Sequence, residues 1–139
     1  MFYIDTSVLV SAVSAEIGTR AVLEWLETAE GVLVSDWLMT ESVAALSQKE
    51  RMGIVSAAER AGALAALRRH LDGAFQTLPV TRADFRSAAQ FAERPETGLR
   101  GADALHLAVA SAADATLVTL DRKQARAGEM LGIETLLLS

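Results

Sequence analysis

The chain of 139 residues contains no cysteine. That excludes a disulfide framework and any thiolate metal site, and it fits a reducing compartment. Aromatic residues make up only 5% of a chain that is 51% hydrophobic, so the core has to be built mainly from Leu, Val and Ala. No apolar run approaches the roughly 18 residues needed to span a bilayer. The opening MFYIDTS has no basic n-region, and Asp5 interrupts it. It does not read as a signal peptide, and a cytoplasmic protein away from membranes is the expectation.

An excess of basic charge is also missing. Eighteen acids against 13 bases give a net charge of −5. Taken alone this argues against a nucleic-acid partner, because phosphate binding draws on basic surface. The argument weakens if four of the acids ligate metal. Fourteen acids then face 13 bases, and a divalent ion changes the local field more than any side chain.

What is present is alternation of short apolar runs with amphipathic stretches. The length suits one domain over 1–139. Strands are expected at 2–4, 32–35, 75–80, 116–120 and 133–138. Pro79 marks the third as an edge strand or as ending there. Helices are expected over about 6–13, 20–29, 37–51, 57–70, 82–93, 101–113 and 122–131. Thr6 or Ser7, Ser35 or Asp36, Ser56 and Thr81 are candidate caps. Gly31, Gly53 and Gly132 are stops. The segment 94–101, with Pro95, Gly98 and Gly101, is the most loop-like. Such alternation implies βαβ units: an α/β fold, a three-layer α/β/α sandwich around a mostly parallel sheet.

Four acids stand out against that scaffold. Asp5 ends the first strand. Asp121 follows the fourth, so both fall outside the carboxyl ends of parallel strands, where open α/β folds bind ligands. Glu41 shares a helix face with Trp37, Leu38, Ala44 and Ala45, and a carboxylate there must be paired, protonated or metal-bound. Asp103 lies in the first turn of its helix, on the face of His106, Leu107 and Ala110. Each has a plainer reading. Asp5 and Asp121 can be helix caps, Asp103 can be a first-turn acid favoured by the helix dipole, and Glu41 can pair with a buried Arg or Lys. His106 reads as a core residue first, and otherwise as a ligand or as a donor that holds a ligating carboxylate. Thr119 can orient a carboxylate or be an ordinary strand residue.

Taken together the four converge. Clustered carboxylates repel and raise each other's pKa, a conflict that a divalent cation removes. All-oxygen ligation points to Mg²⁺ or Mn²⁺ rather than Zn²⁺. Such a site suits phosphodiester hydrolysis, with one or two ions activating water and stabilising the leaving oxygen.

The segments IDTSVLV, TESVAAL, GADALHLAVA and LVTLDRK, around Asp5, Glu41, Asp103 and Asp121, resemble in order the four acidic motifs of PIN-domain ribonucleases. The nearest likeness is to the VapC toxins of type II toxin–antitoxin systems. The resemblance implies a PIN-like sandwich and a Mg²⁺-dependent endoribonuclease (Mn²⁺ also serving) that cuts RNA. The four acids would be its catalytic and metal-binding residues. It also implies that Thr6 and Thr119 support the acids, that the chain forms a homodimer, and that a VapB-like antitoxin inhibits it. Arg94, Arg100, Arg122, Lys123 and Arg126 are near the acids in sequence and are candidates to grip RNA, or are simply solvated. The apolar surfaces of the first and fourth helices can serve dimerisation, antitoxin docking or the core.

Two other readings compete. One is a PIN-like RNA- or protein-binding module without cleavage activity. The other is a phosphotransfer receiver, which needs a lysine placed beside a phosphate-accepting Asp. Lys49 and Lys123 are the only lysines, and neither ends a recognisable strand.

Overall fold

The computed structural model describes residues 1–15, 18–73 and 75–139. The elements run β1 (Phe2–Ile4), α1 (Thr6–Val13), α2 (Thr19–Thr28), β2 (Val32–Ser35), α3 (Asp36–Arg51), α4 (Ala57–Gly73), β3 (Gln76–Leu78), α5 (Arg82–Ala92), a 3-10 turn (Pro95–Thr97), α6 (Gly101–Ala112), β4 (Thr116–Thr119), α7 (Arg122–Met130) and β5 (Thr135–Leu137). The strands form one sheet in the order β3-β2-β1-β4-β5, and every pairing is parallel.

Period-two alternation along the strands builds the three layers. Tyr3, Leu33 and Leu117 are cross-strand partners and pack with Leu107, Ala127 and Ile133 of the α6–α7 side. Ile4, Val34 and Val118 point the other way, onto Val8, Leu9, Val22, Leu38 and Leu67 of α1–α4. β1 is the hinge of the topology. The chain winds outward from it through β2 and β3, then returns to its other edge as β4. The carboxyl ends of β1 and β4 therefore meet at the switch point of the sheet, the place where such folds form a crevice.

The elements follow the sequence expectation, with local differences. The cap of α1 is Asp5 rather than Thr6 or Ser7, because its carboxylate accepts from Val8 N. β3 is shorter than 75–80: Pro79 has no N–H for the ladder, and the strand stops at Leu78 on the sheet edge. The loop-like segment contains a 3-10 turn closed by Gly98 in a left-handed conformation. α4 runs on to Gly73. Among the described residues no helix is long and apolar enough to cross a membrane.

The second half of the sandwich is closed at Gly128. A Cβ there would lie 2.4 Å from Thr135 Cγ2 and 3.0 Å from Leu107 Cδ2. Thr135 cannot swing aside freely, since its hydroxyl donates to Ala125 O at 3.2 Å. Gly128→Ala should therefore lower the unfolding free energy by about 1–3 kcal/mol through overpacking, measured by urea denaturation.

Candidate functional site

The carboxyl end of β1 delivers Asp5 into a nest of donors. Its Oδ1 accepts from Val8 N at 3.1 Å and from Ser7 Oγ at 2.6 Å. Its Oδ2 accepts from Thr119 Oγ1, at the end of β4, at 2.6 Å. The side chain is 2% exposed. Burial pushes the Asp5 carboxyl up from the ordinary range. His106 and these hydroxyl and amide donors pull the other way without cancelling the effect. Ser7 Oγ also accepts from Leu120 N, and Thr119 Oγ1 from Asp121 N. Asp5 is thus both the cap of α1 and the knot that ties β1 to β4.

Asp121 caps α7, accepting from Lys123 N at 2.7 Å and Gln124 N at 3.3 Å, and stays exposed. Gln124 leans back across the site and donates from Nε2 to Asp103 O at 3.3 Å. Asp103 is half-buried in the first turn of α6. Burial raises its carboxyl above the ordinary range, and the Asp121 charge raises it further. The plainer readings of Asp5 and Asp121 as caps are therefore correct, and both residues still sit at the switch point.

Glu41 stands on α3, which Ser35 caps at the end of β2. Its partner is neither Arg nor Lys. Glu41 Oε2 accepts from Thr6 Oγ1 at 2.8 Å and lies 2.5 Å from His106 Nε2. Burial acts to raise the Glu41 carboxyl, but His106 and Thr6 outweigh it and hold it below the ordinary range. His106 is 2% exposed. It is a core residue as expected, yet every polar atom of its ring is engaged. Nδ1 meets Tyr3 Oη at 2.9 Å, and Tyr3 Oη meets Ser35 Oγ at 2.7 Å.

The four acids thus reach one end of the sheet, but they are not equivalent. Asp5 is wrapped, Glu41 is turned to His106, and Asp103 and Asp121 line a cleft of about 510 Å³ with Arg100, Arg122 and Lys123 on its walls. Among the described residues no three His, Asp or Glu side chains stand together as a ready-made ion cage. The expected ring of four carboxylates is an open pair with two acids behind it. The donor set still fits a hard cation. Mg²⁺ keeps several waters and uses one or two carboxylates plus substrate phosphate rather than a full protein cage. Among the described residues no Lys or Arg forms an ion pair with Asp5, Asp103 or Asp121.

Tyr3, Ser7, Ser35 and Gln124 were not singled out from the sequence for the site. Tyr3 read as one of three apolar strand residues, and Ser35 and Ser7 as caps. The only signal was position: polar atoms one or two residues from a strand's carboxyl end. Thr119 is the member with the clearest expected effect. Thr119→Val keeps the β-branched packing but removes the hydroxyl between Asp5 and Asp121 N. It should cost about 1.5–3 kcal/mol, the range for a hydrogen bond to a charged group, with Thr119→Ser closer to the parent in the same urea titration.

The PIN domain family matches residues 2–130. No curated protein matches the sequence. Among solved structures, VapC20 of Mycobacterium tuberculosis, described as a sarcin–ricin loop cleaving toxin, is 17% identical, with a TM-score of 0.77 over 92% of this chain and 95% of that one. PAE2754 of Pyrobaculum aerophilum is 25% identical, with a TM-score of 0.67 over 91% and 84%. VapBC2 of Rickettsia felis, bound to a DNA fragment from its promoter, is 18% identical, with a TM-score of 0.69 over the whole of both chains. At 17% and 18% identity the likeness to the two Vap proteins is one of fold. The family match is of another kind: it runs from β1 through α7 and takes in Asp5, Glu41, Asp103 and Asp121, and on that ground the chain belongs to the PIN domain family.

Proposed function

We propose that the chain is a Mg²⁺- or Mn²⁺-dependent endoribonuclease and the toxin of a toxin–antitoxin pair. The observation that carries this reading is the cleft in which Asp103 and Asp121 face one space walled by Arg100, Arg122 and Lys123. Acids without basic partners suit a cation, and bases beside them suit the phosphates of a nucleic acid. That juxtaposition meets the objection from net charge, because the basic groups are concentrated where a backbone would lie. The Mycobacterium neighbour, described as a sarcin–ricin loop cleaving toxin, supports the toxin role, and the Rickettsia VapBC2 on its promoter fragment supports a VapB-like partner, with RNA in the cytoplasm as the substrate.

In this reading Asp103 and Asp121 offer carboxylate oxygens to the ion, with Asp5 and Glu41 behind them. When bound, the cation supplies Lewis acidity at the phosphate and activates water. Thr119, Ser7 and Val8 N hold Asp5 in one rotamer, and Gln124 spaces α6 from α7. Arg100, Arg122 and Lys123 offset charge on the phosphate. The acids are not nucleophiles. A water oxygen bonds to phosphorus, the ester P–O bond breaks, and the departing oxygen takes a proton.

Purified protein with Mg²⁺ should cut RNA, EDTA should abolish cleavage, and Asp103→Asn should reduce it at least about 100-fold, on the scale of lost transition-state electrostatics. Undiminished cutting by Asp103→Asn protein would refute the reading. Tight RNA binding with no cutting in Mg²⁺ or Mn²⁺ would favour a binding module instead.

The homodimer has a candidate face in α5–α6. Phe85 is 55% exposed beside an apolar cleft of about 310 Å³ lined by Trp37, Ala88, Ala89, Ala92, Ala102 and Leu105. The indole nitrogen of Trp37 is buried without a hydrogen-bond partner. A projecting ring next to a shallow hole lined by small residues is a self-complementary patch, as a two-fold interface requires. Phe85→Glu should leave the fold intact and convert a dimer to a monomer in light scattering. An unchanged mass would place the interface elsewhere.

A further inference from the structure

Glu41 is held by a chain of hydrogen bonds that starts and finishes on its own helix. Leu38 N donates to Ser35 Oγ at 3.4 Å. Ser35 Oγ lies 2.7 Å from Tyr3 Oη, and Tyr3 Oη 2.9 Å from His106 Nδ1; with a neutral ring Ser35 donates to Tyr3 and Tyr3 to His106. His106 Nε2 donates to Glu41 Oε2 at 2.5 Å, with Thr6 Oγ1 3.1 Å away as a second acceptor. Thr6 gives its own proton to the same carboxylate oxygen.

Proton counting fixes the direction. Thr6, Ser35 and Tyr3 each have one hydroxyl proton, and a carboxylate can only accept. Nε2 must then carry a hydrogen, and in neutral imidazole Nδ1 is left as the acceptor for Tyr3. Each hydroxyl proton is used once. The path crosses α3, β2, β1 and α6, so four elements must be in register for it to close. Among the described residues Glu41 Oε1 has no hydrogen-bond partner, while Oε2 has two. A His kept only for packing would not need this path.

We propose that His106 is a positioning residue: locked by Tyr3 and Ser35, it pins Glu41 Oε2 and leaves Oε1 as the one oxygen available to the cation or its water shell. The role rests on the cation-dependent reading of the site. It assigns to His106 and Tyr3 the part that outer partners play in orienting a ligating carboxylate, which is worth about 10- to 100-fold in metal affinity.

Two replacements separate positioning from packing. Asn at 106 places its amide near the Nδ1 position, keeping Tyr3 and losing Glu41. Gln reaches the Nε2 position and can still donate to Glu41. Mn²⁺ affinity, measured on RNA-free protein by electron paramagnetic resonance, should fall about 10- to 100-fold in His106→Asn and no more than about threefold in His106→Gln. In cleavage assays His106→Asn should lower kcat with KM for RNA little changed. Ring ¹⁵N shifts of His106 in the wild type should report the Nε2–H tautomer. Tyr3→Phe keeps the buried ring and should weaken Mn²⁺ binding in the same direction, which serves if His106→Asn does not fold. Equal Mn²⁺ affinity in wild type, His106→Asn and Tyr3→Phe overturns the role while leaving the nuclease reading in place. So does equal loss in the Asn and Gln variants, or an Nδ1–H tautomer. Wild-type protein that takes up no Mn²⁺ overturns both.

Discussion

The bond from Thr119 Oγ1 to Asp5 Oδ2, 2.6 Å long and buried, is the constraint on which the site depends. It joins the ends of the two strands between which the sheet changes direction. A bare carboxylate at that depth would be costly, so Asp5 can be there only because three donors from α1 and β4 surround it. The same donors set its rotamer. Thr119 in turn receives Asp121 N, so the loop that carries the next acid is placed by the bond that stabilises the first. Geometry at the crevice follows from stabilising one charge.

The surrounding groups divide into two branches. One runs through Thr119, Asp121 and Gln124 to Asp103 and opens onto the cleft. The other runs from the buried Tyr3 through His106 to Glu41 and Thr6, which are partly exposed. β1 feeds both, since Tyr3 and Asp5 lie two residues apart on it. Asp103 is raised by burial and then by the Asp121 charge, while His106 and Thr6 lower Glu41. Like charges meet in the branch that opens onto the cleft, and a cation there would relieve them.

Most of the architecture was readable in the chain because its signals are local. Strands of three or four apolar residues ending in a polar one, and helices opened by Ser35 and Thr81, need no distant information. So was the gathering of four acids at one end of the sheet, which follows once the strands are parallel. Contacts made across 100 residues were readable only through the resemblance, as for the support that Thr119 gives the acids. Nothing near Tyr3 in sequence says that its hydroxyl meets a histidine at 106. The cap of α1 stays open in the sequence because Asp5, Thr6 and Ser7 are all good caps. The choice is settled by Glu41, which takes the Thr6 hydroxyl, and by Asp5, which takes that of Ser7. Gln124 looked like any polar residue of a surface helix, yet it is 2% exposed.

Asp5 and Asp121 each begin a helix as well as lining the crevice. Replacing such a cap by a residue without a side-chain acceptor costs about 1 kcal/mol on its own. A lineage that stopped cutting would therefore still be under pressure to keep both carboxylates, or the asparagines that cap equally well. Their survival in a related sequence records the need for a firm helix start as well as any need for chemistry.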